Sequence, residues 1–224
     1  MKKHLLLIIS LINAAVTALY IALLPKAEIP MHYNVLGNAD RYGSKWELMI
    51  MPLALFLPVI IYYVYSFFKS EDDDNKNKMY IKKVVWGLFL VLLVLFWVLI
   101  FTSSNGTDKI GTLAASLMLI LFGALMAYIG NFYGKIKQNS MLGIKTHATL
   151  KSENVWRKTH RLSGYLAVLS GIIWIIGGVI TLFLNQLSAV VFIPCLAVML
   201  LFMVIIPLVY SELLYRKEKP TDKL

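Results

Sequence analysis

Residues Met141–Gly164 read MLGIKTHATLKSENVWRKTHRLSG; they follow one long apolar run, Ile110–Tyr133, and lead into another, Leu162–Leu184. A helix needs about 20 apolar residues to cross roughly 30 Å of hydrocarbon, and both runs are long enough. A connector between two such spans can be short and plain. This one instead contains two histidines, a tryptophan, a glutamate and several cations. It therefore predicts a membrane protein whose functional chemistry is concentrated on one connector.

The whole composition agrees with a membrane protein. The chain has 224 residues, of which 59% are apolar and 15% charged, whereas about 25% of residues are charged in soluble domains. We predict an all-α integral membrane protein with six transmembrane helices and no separate soluble domain. A single cysteine, Cys195, excludes a disulfide within the chain. The predicted spans are Leu5–Leu24, Trp46–Phe68, Val84–Phe101, Ile110–Tyr133, Leu162–Leu184 and Ala189–Leu213.

The net charge of +10 is distributed unevenly. With the N-terminus placed in the cytoplasm, 18 of the 22 lysines and arginines lie on cytoplasmic segments and 4 lie outside. Such a bias is the positive-inside pattern, which reflects membrane insertion and anionic lipid. We therefore expect both termini in the cytoplasm, the lipid bilayer as the charged partner, and no direct binding of nucleic acid.

The spans and their connectors suggest three regions. Residues 1–68 form an N-terminal two-helix region with an extracellular loop at 25–45, residues 69–83 a solvated cytoplasmic linker, and residues 84–224 a four-helix region with a cytoplasmic loop at 134–160. No Asp, Glu, Lys or Arg occurs in the interior of any predicted span; Glu47 and Glu212 lie at span edges. Ion-coupled transporters and pumps need such groups, so the sequence argues against them and leaves a passive or lipid-facing role open.

The predicted outer loop, Pro25–Lys45, reads PKAEIPMHYNVLGNADRYGSK. Residues 31–35 alternate and indicate a short extended segment, and the pairs at 37–38 and 42–43 have turn chemistry. His32, Asn34 and Asp40 could converge on a ligand or metal, although two candidate ligands without a second histidine make a poor zinc set. The alternative is a loop held together by its own polar and aromatic contacts.

In the predicted inner loop, a helix is expected to begin near Ser152, with Ser152 or Thr149 as its N-cap. At 100° per residue, Glu153, His160 and Gly164 then lie within about 20° of one line. Glu153 and His160 are roughly 10 Å apart along the axis, too far for one hydrogen bond.

Each of these two side chains therefore needs another partner, and His147, Asn139 and Lys145 are candidates. Two other interpretations stay open. Trp156 and its neighbouring arginines could anchor the helix at the membrane interface, or His147 and His160 could form a metal site or an acid–base pair.

Both connectors also resemble known families. The run Ile29-Pro-Met-His-Tyr-Asn-x-x-Gly-x-Ala-Asp-Arg-Tyr-Gly-Ser-Lys resembles an N-terminal domain of unknown function that often precedes SdpI domains. Asn139-x-x-x-Gly143-Ile-Lys-Thr, followed by Ser152-Glu-Asn-x-Trp156-x-x-Thr-His160-Arg-x-x-Gly164, resembles the SdpI family itself. One departure is His147, which stands where the family pattern has proline.

The resemblance implies a bacterial immunity protein of the cytoplasmic membrane that protects the producing cell from its own secreted toxic peptide. It also implies a receptor role, in which the protein holds a small winged-helix repressor at the membrane. No enzyme activity and no cofactor are expected. The open alternatives are a small-molecule or lipid transporter, a membrane protein of structural role, and a membrane enzyme using His147, His160 and Glu153.

Candidate site residues fall into two sets. The extracellular set is expected to shape a sensing surface and comprises His32, Asn34, Gly37, Asp40 and Gly43. The cytoplasmic set is expected to shape a signalling interface and comprises Asn139, Gly143, Thr146, Glu153, Trp156, His160, Arg161 and Gly164.

Overall fold

The structure is a computed structural model that describes residues 4–34, 37–68, 75–105, 112–139, 142–183 and 188–218. The acidic run at 71–74 and, apart from Ser188, the predicted tight turn at 185–188 lie outside these ranges. In the described part, six helical segments are long and apolar enough to cross a membrane. The predicted six spans are thereby confirmed, as Leu5–Leu23, Lys45–Phe67, Asn77–Ser104, Thr112–Tyr133, Glu153–Phe183 and Val190–Glu218.

Helices dominate the described chain, and one two-stranded sheet interrupts them. A short 3-10 helix, Lys45–Met49, follows the sheet, and a π-helical segment, Leu201–Ile205, joins the last two helices. The elements are α1 Leu5–Leu23, β1 Glu28–Tyr33, β2 Ala39–Ser44, α2 Ile50–Ala54, α3 Phe56–Phe68, α4 Asn75–Ser104, α5 Thr112–Tyr133, α6 His147–Lys151, α7 Glu153–Phe183, α8 Ser188–Leu200 and α9 Ile206–Glu218.

Two helices begin well before the apolar runs that predicted them. Helix α4 begins at Asn75 and α7 at Glu153, each nine residues ahead of the expected start. Hydropathy marks only the part of a helix that lies in hydrocarbon, whereas backbone hydrogen bonding continues into the polar region. Residues 75–83, expected in a linker, therefore belong to α4.

The connector at 25–45 is a β-hairpin, which differs from the loop expected there. Strands β1 and β2 pair antiparallel, with Ile29 opposite Gly43 and His32 opposite Arg41. Only one extended segment was predicted, and Tyr42-Gly43 was interpreted as a turn. The turn is at Gly37, whose φ is 78°, which agrees with the turn predicted at Gly37-Asn38 and not with the one at Tyr42-Gly43. Gly43 lies in β2, where a Cβ would come within 2.1 Å of a carboxylate oxygen of Glu47.

The seam between α5 and α7 is the closest helix contact in the described chain. Small residues face each other in antiparallel order, with Gly123 opposite Gly171 and Gly130 opposite Gly164. A Cβ at Gly123 would lie 2.6 Å from the Gly171 carbonyl oxygen, and one at Gly171 would lie 2.4 Å from the Gly123 oxygen. Lipid gives no hydrophobic force between helices, so such close van der Waals packing stabilises the pair.

One proline coincides with a change in helix type. Pro207 cannot donate to the carbonyl four residues earlier, which lies in the π-helical segment Leu201–Ile205. Pro52 lies in α2, and the next residue after that helix, Leu55, still has α-helical dihedral angles. Pro58 is tolerated in the first turn of α3, where its N–H would have had no helical partner.

The two informative connectors lie at opposite ends of the bundle. Helix α1 runs from His4, which contacts Tyr63 of α3 at 2.6 Å, towards the sheet that follows it. At the other end of the chain, Glu218 of α9 accepts a hydrogen bond from Ser152, directly before α7. Leu6, near the start of α1, belongs to a buried cluster against which Leu142 of the connector before α6 packs. Residues 4 and 218 therefore share the end of the bundle that carries α6. We call this the α6 end, and the end that carries β1 and β2 the hairpin end.

Candidate functional site

At the α6 end, side-chain amides hold the connector between α5 and α7 in place. The Asn77 side chain, 1% exposed, accepts from the Lys137 N–H at 3.0 Å and donates to the Lys137 carbonyl at 3.1 Å. Gln138 donates to the carbonyls of Thr149 and Leu150, at 2.7 and 2.9 Å. The connector is thus bound to α4 on one side and to the last turn of α6 on the other.

Asn139, predicted in the cytoplasmic set, shapes the next turn. Its side-chain nitrogen donates to the carbonyls of Lys137 and Leu142, at 2.8 and 3.0 Å, and its oxygen accepts from the Leu142 N–H at 2.7 Å. Such local side-chain bonds replace the backbone partners that an irregular segment lacks. Asn139 therefore closes the loop on itself and leads the chain to Gly143.

Thr146 caps α6 and ties it to α9. The Thr146 hydroxyl accepts from the Thr149 N–H at 3.1 Å and shares a hydrogen bond of 3.1 Å with the hydroxyl of Ser211. Thr149 is the third residue of this capping box and donates to the Ile144 carbonyl at 2.7 Å. Of the two N-caps predicted for α7, Ser152 is the one observed, because its hydroxyl accepts from the Val155 N–H at 3.2 Å.

His160 lies at the centre of this connector and is fully buried. Its Nδ1 faces the Trp156 carbonyl oxygen at 2.9 Å, and its Nε2 faces the Ile144 N–H at 3.0 Å. A carbonyl can only accept and an N–H can only donate, so these neighbours assign a neutral ring protonated on Nδ1. Both nitrogens are engaged, which leaves neither free for a metal or for proton transfer.

Aromatic rings complete the packing around His160. The Trp156 and His160 rings stack at 4.0 Å with 16° between their planes, and Tyr133 stacks with His160 at 5.2 Å. Trp156 also donates its indole N–H to the Ile136 carbonyl at 2.8 Å. Gly143 lies directly against this stack with φ +126°, and a Cβ there would sit 2.3 Å from His160 Nε2. Only glycine fits this position.

Three other residues of the cytoplasmic set lie outside this buried cluster. Glu153 and Arg161 are exposed, and Arg161 Nε donates to the Tyr165 hydroxyl at 3.4 Å. Gly164 lies in the α5–α7 seam, where a Cβ would be 2.9 Å from the Gly130 carbonyl oxygen. The predicted line along α7 is therefore divided between a buried ring cluster, a helix contact and an exposed first turn.

The partners expected for His160 are also different from those observed. His160 bonds to backbone atoms of Ile144 and Trp156. His147 is the first residue of α6 and meets Tyr215 edge-on, with ring centroids 5.5 Å apart. Among the residues that the structure describes, no group of three His, Cys, Asp or Glu side chains is placed to hold a metal ion.

At the hairpin end, the predicted set is brought together only in part. His32 Nδ1 and Asp40 Oδ1 are 2.5 Å apart across the sheet, and both side chains are exposed, at 64% and 42%. Asn34 does not join them. Its side chain accepts from the Asn38 N–H at 3.1 Å, and its carbonyl accepts from the Gly37 N–H at 2.8 Å. Asn34 and Gly37 therefore build the turn.

Buried apolar side chains and one lysine fix the hairpin to the bundle. Ile29 and Leu48 are buried with Ile21 of α1 and Ile100 of α4. Lys45 donates to the last carbonyls of α1, at 3.2 Å and 2.7 Å, which also suits the negative end of a helix dipole. The sheet is thus held against the bundle and presents one polar, exposed face.

Sequence reasoning missed several residues of the α6 end. Asn77 was grouped with a solvated linker because lysines and acidic residues surround it, and its partner is 60 residues away. Ser211 and Glu218 belong to the last helix, for which hydropathy predicted a membrane span but no contact with the connector. Their partners are Thr146, Ser152 and Asn154. The available signal was a polar side chain, an amide or a hydroxyl, in a helix next to a polar connector.

Comparison with known proteins matches both ends of the molecule. Residues 135–211 match the SdpI/YfhL protein family, and residues 8–56 match a domain of unknown function, DUF1648. The immunity protein SdpI of Bacillus subtilis (strain 168) is 26% identical over 179 residues, which is 77% of this chain and 80% of that protein. No solved structure matches the chain.

These matches confirm the resemblance drawn from the two motifs. The DUF1648 match covers α1 from Ile8 onwards, the hairpin and α2, whereas the match to the SdpI/YfhL family begins after α5 and extends to Ser211. The latter contains the stacked Trp156 and His160 rings and the Thr146–Ser211 contact, and Tyr133 lies just before it. Asn77, which binds the same connector, lies outside both matched segments.

Proposed function

We propose that this multi-pass membrane protein gives a bacterial cell resistance to a secreted toxic peptide. The observation that carries the proposal is the similarity to the immunity protein SdpI, which extends over 77% of this chain. The two family matches, at residues 8–56 and 135–211, include both connectors, so the likeness is not limited to the composition that any two membrane proteins share. The protein is not proposed to act as an enzyme or to bind a cofactor.

We infer that the α6 end faces the cytoplasm and that the membrane is the bacterial cytoplasmic membrane. The uneven distribution of lysine and arginine supports this orientation, because 18 of 22 lie on the segments that the six-span topology assigns to the same side as the N-terminus. Fusions to the C-terminus test it. A green fluorescent protein fusion should fluoresce and an alkaline phosphatase fusion should be inactive, whereas the reverse result would place the α6 end outside.

The hairpin end is then the surface that meets a peptide arriving from outside. In this proposal, the exposed His32–Asp40 pair contacts the toxin. The other predicted residues shape the hairpin backbone, Asn34 and Gly37 in the turn and Gly43 where it packs on Glu47. Tyr42 and Trp46 are about half exposed beside them. Rigid loops on a fixed scaffold are a common place for binding residues.

Survival of toxin-exposed cells tests the immunity function. A strain of Bacillus subtilis 168 that lacks its own SdpI and still produces the toxin would express this chain or an empty vector. We expect colony counts to be restored by the chain. Death equal to the empty vector, at normal membrane levels of the protein, would overturn the proposal.

A matched pair of variants then tests the hairpin surface. His32→Ala/Asp40→Ala removes an exposed polar pair at the hairpin end, and Glu212→Ala/Arg216→Ala removes an exposed ion pair near the α6 end. We expect the first variant to lose protection by tenfold or more and the second to keep it. Equal protection by both variants would remove the hairpin pair from toxin contact while leaving immunity itself intact.

We further propose that the α6 end holds a winged-helix repressor at the membrane. The exposed cations Lys151, Arg157 and Lys158 offer it a basic surface, and the bonded connector links this surface to α4, α7 and α9. A fluorescently tagged winged-helix repressor expressed together with the chain should move to the membrane on toxin exposure. Arg157→Ala/Lys158→Ala should reduce this movement, and an unchanged distribution with the unmodified chain would overturn the role.

A further inference from the structure

A small cavity lies where the α5–α7 seam opens at the α6 end. Its volume is about 270 Å³, and its lining includes Gly134, Lys135, Arg161, Tyr165 and Val168. We propose that this cavity binds the phosphate group of an anionic membrane lipid. The inference depends on the six-span arrangement and not on the proposed immunity function.

The glycines of the seam bring the two cations together. A Cβ at Gly134 would lie 2.9 Å from the Cα atom of Arg161, so the end of α5 rests directly on the backbone of α7. Lys135 follows Gly134 at once and is exposed, as is Arg161. Two unit positive charges therefore flank one opening, which is unfavourable unless an anion or water lies between them.

Hydrogen-bond donors in the opening remain available. Arg161 uses Nε to donate to the Tyr165 hydroxyl, and its two terminal nitrogens are left for a ligand. Asn131, which also lines the cavity, donates to the Ala127 carbonyl at 2.8 Å and keeps its second N–H. Within the described residues, no carboxylate lies within 4.0 Å of Lys135 or Arg161. This donor set suits phosphate, which guanidinium binds through two parallel hydrogen bonds.

The position of the cavity favours a lipid over a free ion. From Arg161 to Val168 the helix advances about 10 Å, from the charged end of the cavity towards the hydrocarbon. Beyond it, the exposed side chains Leu169 and Ile172 continue an apolar strip along α7. A volume just under the roughly 300 Å³ of small-molecule sites admits a headgroup phosphate and leaves the acyl chains on that strip. Basic pockets between spans at the cytoplasmic side are typical sites for anionic lipid headgroups.

Native mass spectrometry of the purified full chain in detergent tests the proposal. The probes are 16:0–18:1 phosphatidylglycerol, the phosphatidylcholine with the same chains, and inorganic phosphate. We expect phosphatidylglycerol to bind at least tenfold more tightly than phosphatidylcholine. Lys135→Gln/Arg161→Gln should weaken its binding by about tenfold or more, since each surface cation contributes about fivefold.

The matched control is Lys151→Gln/Lys158→Gln, which removes the same charge from exposed positions outside the cavity lining. It should change phosphatidylglycerol binding by less than twofold. An equal loss in both double variants would reduce the effect to general attraction and overturn the site. Displacement of phosphatidylglycerol by millimolar inorganic phosphate would overturn the lipid assignment in favour of a free ion. Should the double variant fail to fold, Lys135→Gln alone, at an exposed position after α5, takes its place in the comparison with the control.

Discussion

The two ends of the molecule use the same residue types for different purposes. Histidine, asparagine and positive-φ glycine occur at both: His32, Asn34 and Gly37 at the hairpin end, and His160, Asn77 and Gly143 at the α6 end. At the hairpin end His32 is exposed, Asn34 is half-buried, and Gly37 is buried in the turn. At the α6 end, His160 and Asn77 are buried and bonded to backbone atoms. Burial decides which of them are costly to replace, because an unsatisfied buried polar group loses its water as well as its partner.

Replacing the two positive-φ glycines should give the largest difference between the ends. Gly143→Ala combines strain at φ +126° with an overlap at 2.3 Å from His160 Nε2, and should lower the free energy of unfolding by about 4 kcal/mol. Gly37→Ala, at φ 78° in a turn, should cost about 1 kcal/mol. Unfolding by sodium dodecyl sulfate in mixed micelles, followed by circular dichroism, measures both. Equal losses would mean that the ring cluster rearranges around the added methyl group at little cost in free energy.

The histidine pair should come next. His160→Ala removes two hydrogen bonds and a stacked ring from a buried site, so we expect a loss of about 3 kcal/mol. His32→Ala breaks only an exposed contact with Asp40 and should change stability by less than about 0.5 kcal/mol. His160→Phe keeps a ring for stacking and should recover part of the loss. Full recovery by phenylalanine would show that the two hydrogen bonds contribute nothing.

How far sequence predicts each end follows from the range of its interactions. The six spans depend on local counts of apolar residues, and all six are observed. The hairpin depends on pairing between residues such as Ile29 and Gly43, and β2 lacks the apolar alternation that marks a strand. Glycine is needed at 43 because a Cβ there would overlap the Glu47 carboxylate. Local turn rules do not include such a contact.

The candidate site was predicted in part for a related reason. Helical periodicity placed His160 and Gly164 on one line, and both do face neighbouring segments. Glu153 shares the line but lies in the first turn of α7, where it is exposed. Asn77 could not be found this way, because its partner Lys137 belongs to another helix connector and no local spacing relates the two.

The asparagine pair should show a smaller but clear difference. Asn77→Ala removes a buried side chain and both of its bonds to Lys137, whose carbonyl keeps the bond from Asn139; the change should cost about 2 kcal/mol. Asn34→Ala removes one turn bond at the surface and should cost about 1 kcal/mol or less. Proteolysis of the folded protein in micelles gives a second measure, since loosening the connector should expose it to trypsin at Lys137 or Lys145. Protection equal to the unmodified chain would contradict a bonding role for Asn77.

Exposed ion pairs separate the effect of burial from the effect of position. Arg41 and Glu47 pair at 2.9 Å at the hairpin end, and Glu212 and Arg216 pair at 3.0 Å in the last helix, near the α6 end. All four side chains are exposed, so double-mutant cycles should give couplings of about 0.2–1 kcal/mol for both pairs. Both couplings should fall between 0.05 and 0.5 M salt, since exposed charges are screened. A coupling near 3 kcal/mol in the last helix alone would mean that the α6 end strengthens polar contacts even at its surface, and burial would no longer explain the contrast between the two ends.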